Sequence, residues 1–272
     1  LRPPSVCLME TARGLGCPND SFSSFRHRAG SWFSRTVAAL VLCSTLWTVT
    51  AASPAGALNE SPQPDPIVFV HGFGGSIGGQ ELLFSAGMIP WLKAEGVPAD
   101  RIFVFTYGAD ESIYDVMPRL KSFVEGALTQ TGASKVDLVT HSKGGLVARG
   151  YVSLLDGAAR VDAFAAVAST LSGGEIPFCG QLPIGRECLN NLPNSTLVQK
   201  LDAMDRTPGD TRYATWWSRC DGVIKPVTSA TLDGAINHQQ PCSTISNIFG
   251  NNHVTMPLNP RIWREVYDFI SG

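Results

Sequence analysis

Three residues in one order carry the chemistry legible in this chain: a serine at 142, an aspartate at 221 and a histidine at 253. A serine hydroxyl is a poor nucleophile until a base takes its proton, and a histidine steadied by a carboxylate is such a base. Ser142 ends the run Val136-Asp137-Leu138-Val139-Thr140-His141 and is followed by Lys143, Gly144 and Gly145. A strand that stops at a serine and turns at once into a helix lifts the hydroxyl above the sheet. It also aims helix N–H groups at developing negative charge. The stretch departs from G-x-S-x-G, because Thr140 stands where the first glycine would be. The competing reading is a serine that merely caps the following helix.

The rest of an acyl-transfer site is sought around that serine. Such a site needs two backbone N–H donors for the oxyanion. One belongs to the residue after the nucleophile, Lys143, and the other to a loop such as His71-Gly72-Phe73-Gly74, where Phe73 is the expected donor. Of the histidines after residue 57, His141 adjoins the nucleophile and should point away from it. His71 belongs to the glycine-rich loop and is expected to make a structural hydrogen bond. His238 lies in a polar stretch expected to be a solvent-facing loop, which leaves His253 as the base. The acid should fall between serine and histidine. Asp221 follows the last clear strand; Asp202, Asp205 and Asp210 precede that strand and would project elsewhere, and Asp233 is the runner-up.

The elements that must position these groups follow from the apolar pattern. Continuous apolar runs at 67–70, 102–106, 136–140 and 161–168 predict strands buried on both faces, and a further strand is expected at 212–217. Helices are expected at 80–95, at 111–128 with Asp110 as cap, after Ser142, and at 196–204. A last helix starts at Asn259-Pro260. Strands alternating with helices predict an α/β fold with a mostly parallel sheet of about six strands flanked by helices. Function then belongs at the C-terminal ends of the strands. The stretch 171–194 loses periodicity and is a candidate lid or rim.

Composition sets the setting. The chain has 272 residues and a net charge of −2 with no basic stripe, so nucleic acid is not an expected partner. The glycines at 72–79 do not fit a dinucleotide fingerprint and no phosphate-loop motif occurs. Residues 1–57 read as a signal region: Arg26, Arg28 and Arg35, an apolar run from Val37 to Val49, then Ala55-Gly56-Ala57 as a cleavage site. The stretch before Arg26 is long for a signal, which makes Met9 a candidate start. The competing reading is a membrane anchor, although the run is short for a bilayer. Residues 58–272 form the expected catalytic domain, secreted and mildly acidic. Four cysteines fall in it, and the expected disulfides are Cys179–Cys188 and Cys220–Cys242. No cysteine or histidine spacing suggests a metal site.

The stretches PIVFVHGFGG, DLVTHSKGG, WWSRCDGVIKP and GNNHVTMP, in that order, resemble the small secreted bacterial class 2 lipases of the α/β-hydrolase fold. The resemblance implies Ser142 as nucleophile, Asp221 as acid, His253 as base, and Phe73 and Lys143 as oxyanion donors. It implies hydrolysis of carboxylic esters, including acylglycerols, with no organic cofactor, and no obligate protein partner is evident in the sequence. The expected partner is a lipid or other ester, met at an oil–water interface if the enzyme is a lipase proper. Lys143 is atypical, since an apolar residue is commoner there, and its side chain is expected to border the acyl site. The alternatives are a hydrolase for another acyl group (polyester, thioester or phospholipid) and a hydrolase-like binding protein.

Overall fold

The computed structural model describes residues 63–73, 80–108, 111–175, 190–242 and 251–272. Six parallel strands form one sheet: β1 (Ile67–Val70), β2 (Ile102–Phe105), β3 (Val136–Ser142), β4 (Val161–Ser169), β5 (Arg212–Ser218) and β6 (Ile236–Gln240). Their spatial order is β2-β1-β3-β4-β5-β6, and every neighbouring pair is parallel. Parallel strands need crossovers, and the crossovers cover both faces of the sheet with helices. Among the described residues the helices are α1 (Gln80–Ala86), α2 (Met88–Ala94), α3 (Ile113–Thr131), α4 (Lys143–Leu154), α5 (Thr196–Asp202) and α6 (Pro260–Ser271).

The period of two along each strand divides the core. Val68, Val70, Leu138 and Phe164 face α3, α4 and α5; Ile67, Phe69, Val139, Ala165 and Trp216 face α1, α2 and α6. The helix expected over 80–95 is two helices that meet at Gly87. Pro90 accounts for the interruption, because it has no N–H to donate to the Ala86 carbonyl. Helix α3 starts at Ile113 with Ser112 in the cap position and ends at Gly132, whose φ of 70° closes it. Asp110 lies outside the described residues. Helix α6 opens as its sequence suggests, with the Asn259 side chain accepting from the Arg261 N–H.

His238 corrects the expectation of a loop. It sits on β6, half-buried, with its ring stacked 4.9 Å from that of Trp216. Ile236, Asn237 and Gln239 around it are exposed, so this edge strand has no apolar signature.

At the N-terminal edge of the sheet, Asp65, Asp137 and Asp162 bring carboxylate oxygens within 4.8 Å of one another. They line a cavity of about 470 Å³ together with Arg212, Tyr267 and Ile270. Arg212 bonds Asp162 at 2.6 Å, and Lys135 lies 3.9 Å from the other Asp162 oxygen. Asp137 is buried on the central strand β3. Burial first, then the charges of Asp65 and Asp162, push its carboxyl up to about 8, against the opposing pull of Arg212 and the Ala163 N–H.

Candidate active site

In a sheet of this order the succession of strands switches sides between β1 and β3, and the crevice beyond their C-terminal ends is where such folds bind ligands. The glycine-rich loop after β1 and Ser142 at the end of β3 meet there. Ser142 takes φ 54° and ψ −130°, a conformation strained for any residue with a side chain. Helix α4 begins with the next residue, so the hydroxyl stands at its N-terminus.

The residues around Ser142 allow that turn. A Cβ on Gly144 would come within 2.3 Å of the Val70 carbonyl and 2.4 Å of the His71 carbonyl, both backbone atoms that cannot yield. A Cβ on Gly145 would meet Ser169 at 2.4 Å. Thr140 is accommodated by pairing rather than by smallness: its hydroxyl lies 3.0 Å from the Ser169 hydroxyl on β4. The Ser142 carbonyl accepts from the Thr170 N–H at 3.0 Å, which fixes the turn to β4.

Ser142, His253 and Asp221 come together although 111 and 32 positions separate the successive pairs. His253 Nε2 lies 2.9 Å from Ser142 Oγ, and His253 Nδ1 lies 2.9 Å from Asp221 Oδ2. All three are buried, with relative exposures of 7%, 5% and 2% for Ser142, His253 and Asp221. Asp221 Oδ1 accepts from the Val223 and Ile224 N–H groups at 2.9 and 2.8 Å. Burial works against the Asp221 charge. The His253 ring N–H and these two backbone donors outweigh it and hold the carboxyl below its ordinary range. The ionised form is therefore favoured by folding, and that stability is lost as pH falls through the depressed pKa. With Asp221 charged, His253 carries its proton on Nδ1 and turns the Nε2 lone pair to Ser142.

The other acids are placed elsewhere. Asp202 pairs with Arg149 at 2.7 Å, Asp205 accepts from the Thr207 N–H, and Asp233 is exposed and 3.8 Å from Arg206. The Cys220–Cys242 disulfide joins the chain just past β5 to the chain just past β6, beside Asp221. Cys179 and Cys188 lie outside the described residues, as does most of the expected rim at 171–194.

The start of the loop after β1 is set by interlocking contacts of His71 and Tyr107. His71 Nδ1 donates to the Gly72 carbonyl at 2.7 Å, and Nε2 accepts from the Tyr107 N–H at 3.1 Å. The Tyr107 hydroxyl donates to the His71 carbonyl at 2.8 Å, and the two rings stack 4.4 Å apart. Burial first, and then the Glu111 charge, raise the Tyr107 phenol, so it stays a donor. Phe73 follows, half-buried. The Lys143 side chain is buried and donates from Nζ to the Glu111 carbonyl at 3.1 Å. The same ammonium lies 5.9 Å from the Phe73 ring centre and 5.5 Å from that of Tyr107. The atypical lysine thus sits between Phe73 of the glycine-rich loop and Tyr107 past β2.

Sequence reasoning missed His141, which reaches His253 from β3: its Nε2 lies 2.9 Å from the His253 carbonyl. The available signal was a histidine inside an apolar strand with no polar face to occupy.

A model of the family described as lipase (class 2) matches residues 64–256. Among solved structures, the mature Bacillus licheniformis lipase BlEst2 is similar with a TM-score of 0.59 at 14% identity, over 78% of this chain and 94% of that one. A gene product of Listeria innocua gives a TM-score of 0.55 at 18% identity, over 76% and 94%. Aspergillus fumigatus lipase B gives 0.58 at 16% identity, over 80% and 55%.

Proposed function

Because the chain belongs to the class 2 lipase family and is a serine ester hydrolase of the α/β-hydrolase fold, we propose that Ser142, His253 and Asp221 are its catalytic triad. We further propose that its substrates are acylglycerols or other lipid esters. The observation that carries the triad is the unbroken chain of two 2.9 Å contacts from the Ser142 hydroxyl through His253 to a buried carboxylate.

The chemistry follows from that chain. His253 Nε2 takes the Ser142 proton as Oγ bonds to the ester carbonyl carbon. The carbonyl oxygen gains the negative charge, and the backbone N–H groups of Phe73 and Lys143 are the proposed donors to it. As the tetrahedral adduct collapses, the alcohol leaves with the proton held by His253, and the acyl group remains on Ser142. Water then repeats the cycle and releases the carboxylic acid. Asp221 keeps its charge throughout and steadies the imidazolium that forms twice per turnover.

A fluorophosphonate probe is expected to label Ser142 in the folded protein, read by peptide mass spectrometry. Emulsified triglycerides, soluble p-nitrophenyl esters, phospholipid vesicles and polyester film, compared under one condition, then assign the substrate. Turnover of acylglycerols and soluble esters above the other two is the expected result; preference for phospholipid or polyester would overturn the substrate class and leave the triad standing.

The proposed setting is outside the cell, supported by the signal-like pattern of residues 1–57 and the cleavage site Ala55-Gly56-Ala57. Expressed in full in an exporting host, the released protein is expected to begin at Leu58. Intact residues 1–57 on released protein, or retention in the cell, would defeat this.

A further inference from the structure

His141 is the residue before the nucleophile, yet its side chain serves the other end of the reaction. Its ring lies beside that of His253, with centroids 4.9 Å apart, and the edge of Phe84 packs near it at 6.4 Å. The 2.9 Å contact from His141 Nε2 reaches the backbone carbonyl of His253, not its imidazole. A carbonyl oxygen only accepts, so the proton of neutral His141 resides on Nε2.

That contact matters because of how His253 is held. Residues 251–258 belong to no strand. Among the described residues their other hydrogen bonds include Asn251 to the Pro241 carbonyl, Asn259 to Asn251, the Asn252 side chain to the N–H groups of Val254 and Thr255, the Met256 N–H to the Asn252 carbonyl, and Trp263 to the Pro257 carbonyl, while the Met256 side chain is buried in the core. None of these hydrogen bonds joins the peptide of His253 itself to the strand that carries Ser142. His141 does, from the position next to Ser142 on β3. Both 2.9 Å contacts of the His253 ring depend on where its backbone sits.

Resting on the triad proposed above, we infer that His141 is a positioning residue that docks the catalytic base onto the nucleophile's own strand. Nucleophile and base then move as one unit through acylation and deacylation. His141 is suited to this because it stays uncharged. Burial, reinforced by the nearby His253, pushes its imidazole down to about 3 against the pull of its own hydrogen bond to His253 and of the Asp221 charge, with His71 adding slightly to the depression. It therefore sets no second positive charge beside His253 when His253 becomes cationic.

The test uses the folded chain with His141→Phe, which keeps a ring and loses the donor, and His141→Gln, which restores an N–H. His141→Phe is expected to lower kcat by about 10- to 100-fold with KM little changed, the scale of loss from a small misplacement of reacting groups. It should also distort the acid limb of the pH–rate profile, and His141→Gln should recover most of the rate. A full rate in His141→Phe, or equal impairment of the two variants at matched melting temperature, would overturn the docking role. If His141→Phe does not fold, nitrogen-15 histidine spectra of the unsubstituted protein decide the matter. They should show His141 as the neutral Nε2–H tautomer with a slowly exchanging proton between about pH 5 and 9; an Nδ1–H tautomer there would overturn it. The triad reading fails separately: Ser142→Ala and His253→Ala would then retain turnover, whatever His141 does.

Discussion

Ser142→Ala is expected to lower ester turnover by on the order of 10⁴-fold or more while the fold survives, because removing the proposed nucleophile leaves only binding and oxyanion stabilisation. Ser142→Gly should be equally inactive and yet melt higher than Ser142→Ala. The backbone at 142 takes φ 54° and ψ −130°, and alanine keeps the Cβ that makes this costly whereas glycine does not. The release is worth about 1–3 kcal/mol, the usual cost of such a conformation. Two measurements decide the matter: p-nitrophenyl ester turnover and thermal denaturation of both variants. Turnover by either variant at a wild-type rate would remove Ser142 from the mechanism. A glycine variant no more stable than the alanine variant would remove the argument that the turn stores strain.

Asp137→Asn is expected to raise the melting temperature, and to raise it more as pH increases. In the folded chain the Asp137 carboxyl is pushed from 3.8 up to about 8, so the protonated form is the one that folding favours. The sign follows: this stability is fully present below about pH 4 and is lost as pH rises through about 8. The groups facing Asp137 are Asp65 and Asp162, which oppose its charge, and Arg212, which favours it. Asp65 is itself raised, by burial first and then by Asp162, so the loss spreads over the interval. Each unit of pKa is worth about 1.4 kcal/mol, and for a domain of this size about 1 kcal/mol moves the melting temperature by roughly 2–4 °C. About four units correspond to an upper bound of roughly 11–22 °C, and an advantage of more than about 5 °C for the variant above pH 8, shrinking toward pH 4, is the expected result. A difference that stays constant across that range would mean Asp137 is not the proton holder.

Much of this architecture was readable where burial is symmetrical. The runs at Ile67–Val70 and Val136–Thr140 are apolar on both faces because helices cover both sides of the sheet, and that pattern points to parallel pairing. The proposed triad was readable for a different reason: serine, acid and base occur in the order this fold uses, with the serine ending a strand, the acid just past one and the histidine in the loop before the last helix. What escaped was set by geometry that neighbouring residues do not encode. His238 lies on an edge strand whose flanking residues face water, so no apolar alternation marks it. The break at Gly87 depends on one missing N–H at Pro90. His141 serves a carbonyl 112 positions away, and Thr140 fits only because β4 presents Ser169 to its hydroxyl. The Lys143 side chain rests against Phe73 and Tyr107 because the fold brings the start of α4 to the segments after β1 and β2.

The bond between Cys220 and Cys242 divides the proposed catalytic apparatus into two parts with different histories. The turn at Ser142 and the loop after β1 contain no cysteine and are complete once the chain has folded. The acid is different: it sits one residue from Cys220, and the histidine loop leans on Pro241, one residue from Cys242. Chains made with and without an oxidant would therefore carry the same number of reactive serines at the end of a labelling experiment. They would not turn over ester at the same rate per serine. A preparation of mixed oxidation would look like a poor enzyme by rate and a fully competent one by count, and the discrepancy between the two would measure the fraction of molecules whose acid had been stapled in place.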